Sequence, residues 1–118
     1  MSETNAKAAL LLDDNLMTAM RVQKQLEHAG YAVRMSGVLP AQVEGLPELV
    51  ILNLGSRSLG GVELIPKCQA RFPNATVSGF CGHTEIEIRQ AAKAAGVKRI
   101  FTNDEAMMEL AGLLSATT

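Results

Sequence analysis

The stretch LVILNLGSRSLGG, Leu49 to Gly61, decides how this chain is read. It begins as a short run of Leu, Val and Ile with no polar alternation, the composition of a strand buried on both faces. It ends in a glycine-bearing loop, and the junction between the two carries one amide, Asn53. In open α/β sheets ligands sit beyond the carboxyl ends of the strands, so this junction is where chemistry is expected.

Four further runs share that character: Ala8 to Leu12, Tyr31 to Met35, Thr76 to Phe80 and Arg99 to Thr102. They alternate with segments of helical period, which predicts βα units around a parallel sheet of five strands. A length of 118 residues allows one hydrophobic core and not two, so 1–118 reads as a single domain. Ala19, Val22, Leu26 and Ala29 recur at helical spacing before the stop at Gly30, with Leu16 and Met20 widening the stripe. Thr84 and Glu87 form a capping-box signature ahead of an apolar face of Ile88, Ala91, Ala92 and Ala95, ending at Gly96.

The other crossovers are weaker. SGVLPAQVEGLPE, Ser36 to Glu48, holds two prolines and two glycines and leaves room for a stub of helix or a 3₁₀ turn. Pro66 is tolerated only in a first turn or at a kink, so the third helix starts near Ile65 or bends there. The last segment has Asp104 as its N-cap and a Met107, Leu110, Ala111, Leu114 face toward the sheet. Met107 and Met108 cannot both face inward, so one is exposed.

Composition narrows the function classes. Eleven basic residues against twelve acidic ones, with 3% aromatics, give no basic and aromatic platform for nucleic acid. The apolar run Ala8 to Leu12 is too short to span a bilayer and lacks the flanks of a secretion signal, which points to a cytoplasmic protein without a membrane partner. Cys68 and Cys81 form no CxxC pair and read as ordinary thiols before a disulfide or a metal site.

Taken in chain order, the strand ends carry Asp13 and Asp14, then Asn53, Cys81 and Asn103. The LLLDDN opening, the LVILNL strand, Gly61, the GHTE helix start and the AAG before the last strand together resemble the response-regulator receiver domain, from about Ala8 to Leu114. The resemblance implies a flavodoxin-like (βα)5 fold with strand order 2-1-3-4-5 and here a shortened second helix. It also implies an acidic pair that helps hold Mg²⁺, an aspartate that accepts a phosphoryl group, a Thr or Ser and a Lys that read the phosphorylated state. By position, Asp13 and Asp14 match the acidic pair, Asn53 the acceptor, Cys81 the Thr or Ser, and Asn103 the Lys.

The departures have physical consequences. An amide nitrogen shares its lone pair with the carbonyl and is a poor nucleophile, so Asn53 is not expected to form an acyl phosphate. With one anionic group fewer, Asp13 and Asp14 should hold Mg²⁺ weakly, and Asn103 cannot supply the charge of a lysine. Cys81 donates only a weak hydrogen bond, Ile100 stands where an aromatic ring usually turns inward, and Arg57 and Asp104 replace prolines.

Plainer roles exist for the same residues. The acidic pair could cap the following helix, whose N-terminus favours negative charge. His83 reads as an exposed capping-region side chain, and Ser56, Ser58 and Thr84 as ordinary loop and cap residues. The expected function is a non-enzymatic, phosphorylation-independent pseudo-receiver that needs no cofactor and works by protein contact. Its expected face is the helix after the fourth strand, the fifth strand and the last helix, with Glu85, Arg89, Lys93, Lys98 and Met108. The partner would be a protein of a signalling pathway, an effector domain if the chain is a fragment, or a second copy. The alternatives are a degenerate metal-dependent phosphotransfer module using Ser56, and a small-ligand sensor using the strand-end pocket.

Overall fold

Five parallel strands form one sheet in the order β2-β1-β3-β4-β5. The computed structural model describes residues 7–43, 45–56, 60–97 and 99–115. The strands are β1 (Lys7–Leu12), β2 (Tyr31–Ser36), β3 (Leu49–Asn53), β4 (Thr76–Cys81) and β5 (Ile100–Thr102). Helix α1 (Leu16–His28) joins β1 to β2, and a 3₁₀ turn (Gly61–Glu63) leads into α2 (Leu64–Arg71) between β3 and β4. Helix α3 (Ile86–Ala94) precedes β5, and α4 (Asn103–Met108) and α5 (Leu110–Ser115) follow it. This is the expected doubly wound, flavodoxin-like arrangement.

Side chains of each strand alternate between two core layers. Leu10, Leu12, Val50, Leu52 and Val77 pack under α2 with Ile65 and Cys68. Ala9, Leu11, Ile51, Phe80 and Phe101 pack on the other face with Val22, Leu26, Ala106 and Leu110. Covered on both faces, β1 and β3 show apolar runs instead of alternation, and each buried Leu, Ile or Val contributes about 1.5–3 kcal/mol. The edge strand β2 has one face left open, with Ala32 and Arg34 exposed.

Several local expectations are corrected. The second crossover contains no helix among its described residues, because Pro40 and Pro47 interrupt it and Gly45 adopts a φ of 70°. Leu16 and Met20 do not widen the buried stripe of α1, being 66% and 56% exposed; the sheet side needs only Ala19, Val22 and Leu26. Ala91 is likewise exposed, and α3 seals its core side with Ala92.

The expected box at Thr84 and Glu87 does not form: Glu85 is the N-cap residue of α3, and it makes no side-chain capping bond. Nor is Asp104 the cap of the last segment. Thr102 Oγ1 accepts from the Glu105 N–H (3.1 Å) while Glu105 Oε1 accepts from the Thr102 N–H (2.9 Å), a reciprocal box one residue pair earlier. That segment also breaks at Glu109 into two helices, so Ala106 joins Leu110 as its buried contact, with Met107, Ala111 and Leu114 half-buried. Pro66 lies in the first turn of α2, behind the 3₁₀ turn, where its missing N–H costs nothing.

Candidate functional site

The site lies where β1 and β3 end side by side, at the carboxyl edge of the sheet. Asp13 follows β1 and is 5% exposed, an ionisable group held by hydrogen bonds. Its Oδ1 accepts from the Asn15 N–H (2.9 Å) and from Asn53 Nδ2 (2.9 Å), and its Oδ2 accepts from the Thr18 hydroxyl. Asn15 itself caps α1, its Oδ1 accepting from the N–H groups of Met17 (3.0 Å) and Thr18 (3.4 Å). The acidic pair therefore supports the cap without being it, and Asn15 was not singled out from the sequence.

Asn53 closes the site from β3. While Nδ2 donates to Asp13, Oδ1 accepts from the Gly55 N–H (3.1 Å). This pattern fixes the amide orientation: the flipped form would set oxygen against carboxylate and NH₂ against N–H. Asp14, exposed at the rim, accepts from the Ser56 hydroxyl (2.7 Å), tying the β1 and β3 loops together. Gly61 lets the chain return under this loop, with a φ of 54° and room for a Cβ only 2.9 Å from the Leu54 carbonyl oxygen.

Glu85 is displaced from the outer surface where the sequence placed it. Half-buried, its Oε1 accepts from the Gly82 N–H (2.7 Å), and that same oxygen lies 3.1 Å from where a Gly55 Cβ would stand. A third carboxylate thus comes to the site edge. Glu85 stands three residues beyond Gly82, a spacing that by itself does not tell this inward turn from an exposed helix-start side chain. Of the other residues expected on the contact face, Arg89 is half-buried, Lys93 is exposed and Met108 is 67% exposed. Lys98 lies outside the described residues, as do Arg57 and Ser58.

Cys81 ends β4 and Asn103 follows β5, whereas Ile100 begins β5, level with Gly79; among the described residues none of the three makes a hydrogen bond to Asn53. Ile100 is half-buried against the α2 side of the core. Asn103 begins α4 and opens onto a separate cleft with Gly82, His83 and Asp104. Burial pushes the Cys81 thiol up, Arg89 opposes this and Glu85 adds to it. Cys68 is pushed up to about 11, again by burial, against an opposing Arg71.

Both cysteines are buried and free, so the folded chain is expected to resist a disulfide reagent at neutral pH and to titrate two thiols once unfolded. Because folding raises the Cys68 pKa, its contribution to stability is complete below about pH 9 and declines between pH 9 and about 11. A Cys68→Ala variant should show a shallower decline across that window in urea melts.

The donor set does not suit the divalent ion that the resemblance implies. Asp13 spends its carboxylate on three hydrogen bonds, and Asn53 turns an N–H toward it where a cation would need a lone pair. Among the described residues, no group of three or more His, Cys, Asp or Glu side chains is placed to hold a metal ion.

No family model matches the chain, and no curated protein matches it. Solved structures do. A CheY-like response regulator receiver domain protein from Methanospirillum hungatei is 18% identical, with a TM-score of 0.79 over 96% of this chain and 94% of its own. The receiver domain of NtrX from Brucella abortus is 22% identical, with a TM-score of 0.72 over 93% of this chain and 99% of its own. A Burkholderia pseudomallei response regulator, solved with a phosphorylated aspartic acid, calcium ion and citrate, is 23% identical, with a TM-score of 0.68 over 94% of this chain and 72% of its own. The chain has the fold of response-regulator receiver domains.

Proposed function

We propose that the chain is a pseudo-receiver: a non-enzymatic signalling module, cytoplasmic, that acts by protein contact and independently of phosphorylation. One observation carries the reading. At the position where the receiver resemblance expects a nucleophilic carboxylate, Asn53 has both ends of its amide engaged, Nδ2 on Asp13 and Oδ1 on the Gly55 N–H. That amide ties the ends of β1 and β3 together, and it offers phosphorus no nucleophile. Signalling then depends on which surfaces the fixed conformation presents. An effector domain, if the chain is part of a longer protein, or a separate pathway protein would bind them.

No membrane partner is called for, and no helix among the described residues is long and apolar enough to cross a bilayer. A second reading has one observation in its favour: the Ser56 hydroxyl donates to Asp14 (2.7 Å), the geometry in which a carboxylate can draw a proton from an attacking oxygen. Intact mass spectrometry after incubation with acetyl phosphate and Mg²⁺ separates the two. An unmodified mass is expected. A gain of one phosphoryl group would defeat the proposal, and its location at Ser56 would establish the second reading.

A further inference from the structure

Strand β2 (Tyr31–Ser36) is one edge of the sheet, paired with β1 along its whole length without a proline, a bulge or a positive φ. The Asp13 N–H donates to the Ser36 carbonyl (3.0 Å), and in a parallel ladder successive residues turn their backbone groups to alternate sides. Ala32, Arg34 and Ser36 therefore turn theirs to β1. The N–H and C=O groups of Tyr31, Val33 and Met35 point out of the sheet edge, and among the described residues they have no hydrogen-bond partner. The crossover after β2 has no helix among its described residues to cover them. A regular edge of this kind is a template for another strand.

The helix above this edge also leaves apolar side chains unused. On one side of α1 the Gln25 side chain accepts from the Ala111 N–H (2.9 Å), facing α5. Helical geometry brings Leu16, Met20 and Gln23 to the opposite side, above β2. A cleft lined by Leu16, Met35, Ser36 and Gly37 places Leu16 there directly. Leu16 and Met20 are exposed, and the side chains of Tyr31, Val33 and Met35, on the same face of the sheet, are only half-buried.

We infer that β2 pairs antiparallel with β2 of a second copy of the chain, about a two-fold axis perpendicular to the sheet at Val33, joining two sheets into one. The strand is complementary to itself in that register. Val33 exchanges both backbone hydrogen bonds with Val33 of the second copy, and Tyr31 exchanges both with Met35, so every outward group finds a partner. The side chains agree: valine meets valine, and an aromatic ring meets a thioether. Leu16, beside Met35, then meets the Tyr31 ring of the second copy, and Met20 comes near the axis. On the other face Arg34 lies opposite Ala32, whose methyl group leaves room for the guanidinium. With strands about 4.8 Å apart, the two α1 helices, each over β1 and β2, stand about 10 Å apart, the spacing of packed helices. The inference does not depend on the state of Asn53.

Sedimentation velocity of the full chain tests it. The wild type should dimerise at concentrations below about 1 mM, no more weakly at about 1 M salt than at about 0.1 M, because no ion pair holds the contact. Val33→Pro removes an N–H that β1 does not use, a change an edge strand tolerates, and should give monomers with the native circular dichroism. Val33→Glu and Val33→Lys each set like charges together on the axis and should weaken self-association about tenfold or more. Mixed in equal amounts, those two should form a heterodimer. Leu16→Asp, exposed and at a helix start that favours a carboxylate, should weaken the dimer without loss of stability, whereas Met108→Asp on α4 should leave it unchanged. A wild type that stays monomeric, species larger than dimers, a dimer that persists in Val33→Pro or is lost in Met108→Asp, or Glu and Lys variants that do not pair on mixing would overturn the inference.

Discussion

Asn53→Asp is expected to destabilise the chain by about 2–4 kcal/mol at neutral pH without divalent cations. The native amide donates to the Asp13 carboxylate at 2.9 Å, a hydrogen bond to a charged group, contributing about 1.5–3 kcal/mol. The substitution replaces that donor with a second carboxylate. Two unit charges about 4 Å apart near a protein surface repel by roughly 4 kcal/mol, and uptake of a proton limits the cost. Since the folded state of the variant then holds a proton more tightly than its unfolded chain, the deficit should vanish below about pH 4 and grow as pH rises.

Divalent cations should act on the variant alone. Mg²⁺ at about ten times its dissociation constant would return roughly 1.4 kcal/mol, while the wild type, whose Asn53 turns N–H toward Asp13, should not respond. Urea melts of both proteins with and without Mg²⁺ decide the matter. Equal stability and equal indifference to the ion would mean that the amide is not what holds the site together.

The parts of the fold that could be read from the sequence are those set by burial. Strands β1 and β3 stand as continuous apolar runs because both their faces are covered, and the Ala19, Val22, Leu26 stripe marks the sheet side of α1. Helix ends were less legible. Thr84 with Glu87 and Thr102 with Glu105 have the same spacing, yet only the second closes a box. Which of two identical signatures forms depends on where the strand releases the chain, a tertiary matter.

The candidate site divides in the same way. Residue order brought Asp13, Asp14 and Asn53 to the strand ends, and the structure links Asp13 to Asn53 and Asp14 to Ser56. The inward turn of Glu85 onto the Gly82 N–H was hidden, because a Glu at a helix start reads as solvent-facing until the preceding loop supplies a donor. The exposed Leu16 and Met20 were misread for a related reason. Periodicity counts apolar residues and cannot tell the face against the sheet from one turned to solvent.

Gly79→Ala is expected to cost about 1–3 kcal/mol although it adds one methyl group to a strand. Gly79 sits in the middle of β4, paired with Leu52 on one side and Ile100 on the other, and a Cβ there would lie 2.6 Å from Leu54 Cδ1 and 2.7 Å from its Cγ. Leu54 crosses β4 where no side chain stands. Being 3% exposed, and with its N–H donated to the Phe80 carbonyl at 2.9 Å, it has little room to withdraw. Leu54→Ala alone removes a buried side chain and should cost about 2–5 kcal/mol. The two changes should not add. The alanine methyl at position 79 enters the space that Leu54 vacates, so the double variant should be less destabilised than the sum by about 1 kcal/mol or more. The contact also reaches the site, because Leu54 lies between Asn53 and Gly55, whose N–H holds the Asn53 amide oxygen at 3.1 Å. Displacing Leu54 therefore loosens the bond that orients the amide, and Gly79→Ala should reduce the stability gap between Asn53 and Asp at position 53. Urea denaturation of the single and double variants measures both couplings. Simple additivity in both cycles would mean that the glycine is only a packing accident, unconnected to the site.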